Sequence, residues 1–176
     1  MTKLVFGPTY EEMLHPETIR ADVREAALAA AREGRELDPV NLYNITWRGA
    51  DSRPHFLVLP KELTGVDAPI ALMYSKDFPT GSHKVGATYS IAMESQLSGR
   101  IVPGGQVCVW PSTGNFCRGG AFDRALLGCT AVAILPEEMS PERFAWLKEI
   151  GAEVIATPGC ESNVKEIYDK CWELKR

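Results

Sequence analysis

Long apolar runs are missing from this sequence: none of its 176 residues sits in a stretch approaching the ~18 consecutive apolar positions that a bilayer-spanning helix needs. Its first twelve residues also lack the basic lead, apolar core and small-residue cleavage site of a secretory leader, so a cytoplasmic chain away from membranes is expected. Positive charge is scarce as well. Lys and Arg number 19 against 23 Asp and Glu, a net charge of −4, and no basic stripe suits a phosphodiester backbone, which argues against nucleic acid as a partner. The five cysteines, at 108, 117, 129, 160 and 171, are odd in number and never form Cys-x-x-Cys; His15, His55 and His83 match no zinc spacing. Neither a disulfide framework nor a metal site is expected, and Cys108 and Cys129 lie in apolar runs where a free thiol acts as a small hydrophobe. Gly-x-Gly-x-x-Gly and Gly-x-Ser-x-Gly do not occur, and residues 81–84 fail the phosphate-loop pattern because Lys84 follows a histidine and precedes Val85.

What remains is an ordinary globular composition, 45% hydrophobic and 24% charged, at a length that favours one compact domain with an appendage. The texture changes near Pro60. Residues 1–60 read as a helical and irregular arm: 16–34 is helical, with Glu17 and Asp22 early, an alanine-rich middle and Gly34 as a stop. Residues 37–54 are rich in turn formers, and 55–59 is a short possible strand.

Residues 61–176 alternate short apolar runs with helical patterns. Runs at 70–74, 107–110, 130–135 and 153–156 have the length and composition of buried parallel strands. Between and after them come helix candidates at 84–98, 115–127, 141–149 and 163–174. Ser140 precedes Pro141 at a helix start, Ser162 is the expected cap of the last helix, and Gly128 and Gly151 sit where helices end. Alternating strand and helix predicts an α/β fold, a mainly parallel sheet with helices on both faces in three layers. In such sheets ligands gather where strands hand over to helices at their carboxyl ends. That points to residues 75–84 and 111–116.

Lys84 opens a helix, against the positive end of its dipole, where a cation is out of place but an amine nucleophile has a use: bonding an aldehyde cofactor. A solvated surface lysine is the plainer alternative. In the second loop, Ser112 and Thr113 hydroxyls and the free N–H groups of a helix start form a cradle for a carboxylate. Gly114 lets the backbone come close, and the Asn115 amide can donate to an oxygen of a planar cofactor. A plain helix cap followed by a turn glycine explains the same residues.

The pair Pro79-Thr80-Gly81-Ser82-His83-Lys84 and Ser112-Thr113-Gly114-Asn115 resembles the pyridoxal-phosphate enzymes of the cysteine synthase and tryptophan synthase β family, fold type II. The stretches Ser140-Pro141-Glu142-Arg143 and Lys148-Glu149-Ile150-Gly151-Ala152-Glu153-Val154 are similar to that family's smaller domain. The resemblance covers residues 70–176 and implies pyridoxal 5'-phosphate as cofactor. It implies that Lys84 bonds the cofactor aldehyde and later moves the substrate α-proton, and that residues 112–115 hold the carboxylate of an amino-acid substrate. Asn115 would also reach the cofactor's 3-oxygen, and His83 would lie near its phosphate or help cap the helix. β-Elimination, with deamination, or β-replacement on an amino acid follows, in a dimer.

Two departures qualify what the resemblance implies. The family's glycine-rich phosphate cradle and the residue facing the pyridine nitrogen are not found: Gly104-Gly105 lies at a helix-to-strand turn and Gly119-Gly120 within a helix candidate. A fragment, or association with a chain supplying the larger domain, is therefore expected, with weak cofactor binding by the isolated chain. Phe116 stands where the cysteine synthase branch has threonine, and is expected to pack under the helix. The alternative to an enzyme part is a noncatalytic α/β binding or partner subunit that keeps the fold.

Overall fold

A computed structural model describes residues 4–51, 53–54 and 56–176; His55 and the first three residues of the expected leaderless start lie outside them. The N-terminal part holds α1 (Tyr10–Leu14) and α2 (Ala21–Arg32), with 3-10 turns at Pro16–Thr18 and Pro39–Asn44. Then come β1 (Phe56–Leu59), α3 (Lys61–Thr64), β2 (Ile70–Met73) and α4 (Lys84–Leu97). The remainder alternates: β3 (Val107–Pro111), α5 (Asn115–Leu126), β4 (Thr130–Pro136), α6 (Pro141–Glu149), β5 (Glu153–Thr157) and α7 (Val164–Lys175).

The sheet order is β3-β4-β5, all parallel, with Val107 opposite Thr130 and Val132 opposite Glu153. Because successive strand side chains point to opposite faces, β4 divides its apolar residues between two layers. Ala131, Ala133 and Leu135 pack with Cys117 and Ala121 of α5 and Leu147 of α6; Val132 and Ile134 pack with Ile167 of α7. The expected three-layer α/β fold is thus present. Gly128 and Gly151 end α5 and α6 with φ of 68° and 82°, where a side chain would cost about 1–2 kcal/mol.

Three expectations need correction. The run at 70–74 is not a buried parallel strand: β2 pairs antiparallel with β1 in a separate two-stranded sheet, with Leu72 and Met73 exposed. An apolar run of strand length does not say which strand it will pair with, and here the nearest in sequence prevailed. Ser162 does not cap α7. Asn163 holds that position, and its Oδ1 accepts from the Cys160 N–H at 2.9 Å instead. Ser140 does occupy the cap position before Pro141, but its side chain makes no capping hydrogen bond.

The N-terminal part is bound to the helices behind the sheet. Met13, Leu42 and Ile45 form a buried cluster with Phe78, Val85, Tyr89, Phe122 and Leu126. Full burial of side chains such as Leu42 and Ile45 contributes about 1.5–3 kcal/mol each. Tyr89 Oη donates to the Pro8 carbonyl at 2.8 Å, and the Gln96 amide bonds both the N–H and the C=O of Val5, at 3.0 and 2.7 Å. Among the described residues, no helix is long and apolar enough to cross a membrane.

Candidate active site

Helices α4 and α5 lie side by side and run in the same direction. Val85 and Thr88 meet Gly119, Thr88 faces Asp123, and Ala92 clusters with Leu127. A Cβ on Gly119 would stand 2.9 Å from Val85 Cα and 3.0 Å from Val85 N, closer than real side chains come. The glycine therefore lets the first turn of α4 rest on the second turn of α5, and Lys84 and Asn115, each the first residue of its helix, come to the same end of the pair. β2 does not bring Lys84 there through a shared sheet; helix packing does.

The loop before α4 closes on itself. Gly81, at φ 68°, donates to the Phe78 carbonyl at 2.7 Å and is flanked by the buried Thr80 and Ser82. Ser82 Oγ accepts from the Lys84 N–H at 3.3 Å, and the Ser82 carbonyl from Val85 N–H at 3.3 Å, so the first amides of α4 are already occupied. His83 precedes the helix without a side-chain cap bond; its ring lies 6.3 Å from that of Trp47, which meets Phe78 edge-on at 5.3 Å. The Lys84 side chain is exposed.

The loop after β3 is held more rigidly. Ser112 N–H donates to the Ile134 carbonyl at 3.0 Å, carrying the ladder one residue past Pro111. Ser112 Oγ accepts from Gly114 N–H at 3.3 Å. The Gly114 carbonyl takes the Cys117 thiol at 2.9 Å and Arg118 N–H at 3.1 Å, while Arg143 Nη1 donates to the Thr113 carbonyl at 3.0 Å. A Cβ on Gly114 would sit 3.0 Å from that same Nη1, so glycine makes room for the guanidinium. Burial pushes the Cys117 thiol up to about 11, which keeps it protonated and donating at neutral pH. Phe116 packs edge-on against Trp110 at 5.5 Å, as expected of a residue tucked under the helix.

With the loop carbonyls turned to Arg143, Cys117 and Arg118, the N–H groups of the first turn of α5 are left without intrahelical acceptors at the positive end of the dipole. The exposed Asn115 stands at that end. An anion with two oxygens suits this place, and Lys84 lies on the neighbouring helix start. Arg143, Cys117 and Gly119 escaped sequence reading as parts of the site. Arg143 lies 30 residues from Thr113, and no local pattern reports a contact between elements that far apart in sequence. A cavity of about 430 Å³ lies between residues 34–38 and Glu149 and Ile150 and is lined by no residue of either loop. Among the described residues, no group of three His, Cys, Asp or Glu is placed to hold a metal ion.

No protein-family model matches the chain. Over 83 residues it is 40% identical to a probable cysteine synthase of Bacillus subtilis, covering 47% of this chain and 26% of that protein. Cystathionine beta-synthase of Saccharomyces cerevisiae is 38% identical over 100 residues, 57% of this chain and 20% of the relative. A cysteine synthase of Staphylococcus aureus is 38% identical over 109 residues, 62% of this chain and 34% of the relative. The chain thus spans between about a fifth and a third of the length of these relatives. An O-acetylserine dependent cystathionine beta-synthase from Helicobacter pylori superposes with a TM-score of 0.62 at 21% identity, covering 68% of this chain and 39% of that one. A hydrogen sulfide-producing enzyme from Fusobacterium nucleatum gives 0.57 at 24% identity, covering 68% and 38%. At such identities the structural likeness establishes the fold. The sequence likeness to the cysteine synthase family, read from the two loops, holds over part of the chain.

Proposed function

We propose that this chain is part of a cytoplasmic, pyridoxal-phosphate-dependent enzyme catalysing β-elimination or β-replacement on an amino acid. The observation that supports the reading is the pairing of the two helix starts: Lys84 and Asn115, both exposed, open neighbouring parallel helices at the same end. The residues present suit the cofactor's aldehyde and the substrate, since the amine is free to react and the first amides of α5 are open. They do not supply a phosphate cradle. Gly104-Gly105 forms the turn before β3, and Gly119-Gly120 is spent on packing within α5. We therefore assign the phosphate to residues of a larger domain or second chain, and the working form to a dimer or such an association.

When bound, pyridoxal phosphate supplies an electron-withdrawing ring in conjugation with the substrate α-carbon. Lys84 would hold the cofactor by its aldehyde carbon, and its Nζ would be the base that takes and returns the substrate α-proton. The amides at the start of α5 would receive the substrate carboxylate, and the Asn115 side-chain amide would be a donor to the cofactor's 3-oxygen. Arg143 and Cys117 hold the loop carbonyls away from that carboxylate, so the cradle presents donors alone. His83, next to the lysine and with its ring 6.3 Å from that of Trp47, would lie near the phosphate, which the larger domain or second chain would hold.

Borohydride reduction of the chain in the presence of pyridoxal phosphate, followed by peptide mapping, tests the reading. Label is expected on Lys84 in preference to the exposed Lys61 and Lys76, and is expected to be lost from that peptide in Lys84→Ala. Labelling of Lys84 no greater than at those two lysines rejects it. That outcome favours the second reading, a noncatalytic partner subunit, for which the missing phosphate cradle speaks.

A further inference from the structure

Thr88, one turn into α4, is fully buried, and its hydroxyl is committed to the turn before it. Oγ1 lies 3.2 Å from the Lys84 carbonyl and 3.0 Å from that of Val85, and donates to the pair. One hydroxyl proton serves both, and each carbonyl keeps a second lone pair for the amide one turn on. A bond of this kind adds little to the strength of a helix and often bends it. It sets direction more than stability. The first turn has few other ties. Its amides lack intrahelical acceptors, and those of Lys84 and Val85 reach only Ser82 Oγ and the Ser82 carbonyl, both at the long distance of 3.3 Å.

The same hydroxyl stands at the contact with α5. A Cβ on Gly119 would come within 2.7 Å of Thr88 Oγ1, so the glycine leaves room for this oxygen in particular. A side chain there would drive the oxygen off its carbonyls. Asp123, one turn further along α5, faces the hydroxyl, but neither of its carboxyl oxygens has a hydrogen-bond partner, and the proton goes to the backbone. Ser90 gives the contrast: its Oγ also bonds back, to the Gly86 carbonyl at 3.0 Å, yet the residue is exposed and water competes for it. Thr88 thus joins the turn that carries Lys84 to the helix that carries Asn115.

We propose that Thr88 is a positioning residue, whose hydroxyl fixes the first turn of α4 against Gly119 and so sets where Lys84 stands relative to the start of α5. The inference rests on the reading of Lys84 as the amine that bonds the cofactor aldehyde. It adds the requirement for a hydroxyl: serine suffices at this position, and valine, which matches threonine in shape, does not.

Two measurements on the 176-residue chain test it, each made on the parent, Thr88→Val, Thr88→Ser and Ser90→Ala. Residual dipolar couplings, which need no cofactor, report the orientation of the N–H bonds of residues 84–86 against those of residues 89–97. Thr88→Val is expected to turn the first set relative to the second, while Thr88→Ser and Ser90→Ala keep the parent values. Borohydride trapping with pyridoxal phosphate then reads the preference for Lys84 over the exposed Lys61 and Lys76. That preference is expected to fall about threefold or more in Thr88→Val and to hold in the other two. Serine lacks a buried methyl that valine keeps, so a role in packing alone would put the larger loss in Thr88→Ser, the reverse order. The proposal is overturned by couplings unchanged in Thr88→Val or altered as much in Ser90→Ala. It is overturned equally by a labelling preference that survives in Thr88→Val or is lost as far in Thr88→Ser. A parent that labels Lys84 no better than the other two lysines rejects the function instead, and the couplings then decide on Thr88 by themselves. If Thr88→Val does not fold, Thr88→Ala, which also lacks the hydroxyl, takes its place in both measurements.

Discussion

Asp123 shows how much one buried group can govern. Fully buried on α5, its carboxyl has its pKa raised well above the usual value, mainly by loss of water. A carboxyl whose folded pKa exceeds its unfolded one favours folding in its protonated form. Its contribution is complete below the unfolded value of about 4 and is lost as pH rises toward the folded one. Over that window the group subtracts up to about 1.4 kcal/mol of stability per pH unit. Asp123→Asn is therefore expected to be more stable than the parent at pH 7, by a margin that shrinks toward pH 4, measured by urea unfolding across pH. The two glycines before it were legible as helical but not as contacts. Gly119 faces α4, and Gly120 faces Trp110, where a Cβ would come within 2.1 Å of the ring. Gly120→Ala is expected to cost roughly 1–3 kcal/mol or more, as overpacking does, and to show it as a lowered urea midpoint. A double glycine inside a helix signals close packing in the sequence, yet the neighbour's identity depends on residues far along the chain.

At the scale of elements, apolar patterning served well where neighbouring layers cover it. The unbroken apolar run of β4 agrees with the structure, because the strand is buried on both faces, against α5 and α6 on one side and α7 on the other. It served less well in α7, where Val164, Ile167, Tyr168, Cys171 and Trp172 share a stripe. Only Ile167 is buried, while Tyr168 and Trp172 stay exposed, since a three-stranded sheet is too narrow to cover that stripe. The cysteines give a check on element burial. Cys108, Cys117 and Cys129 are buried and Cys160 is exposed in the turn between β5 and α7. A thiol reagent at pH 8 is expected to modify Cys160 first, with Cys117 reacting only on unfolding, since the thiolate is the attacking form and its pKa of about 11 leaves little of it. Mass spectrometry of partly modified chain reads the order. Early modification of Cys117 would show that the loop it braces opens readily.

Across the whole molecule, the N-terminal third and the helices behind the sheet form one packed body through Met13, Leu42, Ile45, Tyr89 and Phe122. Amides of α4 are therefore expected to exchange with the same protection as those of α5. Removal of residues 1–47 is expected to expose Val85, Tyr89 and Phe122 and to abolish cooperative unfolding, checked by hydrogen exchange and by thermal melts of the truncated chain. The sequence by itself determined the alternation of strands and helices, the absence of a membrane-length apolar run and the two loops that resemble cysteine synthases. Those are local properties, set by side-chain period, turn residues and short motifs. Only the tertiary structure decided that β2 joins β1, that Gly119 lets α4 pack closely on α5, that Arg143 braces Thr113 and that Arg124 is buried. Each of these depends on contacts between residues distant in sequence, whose energies come from burial and close approach that no local pattern records.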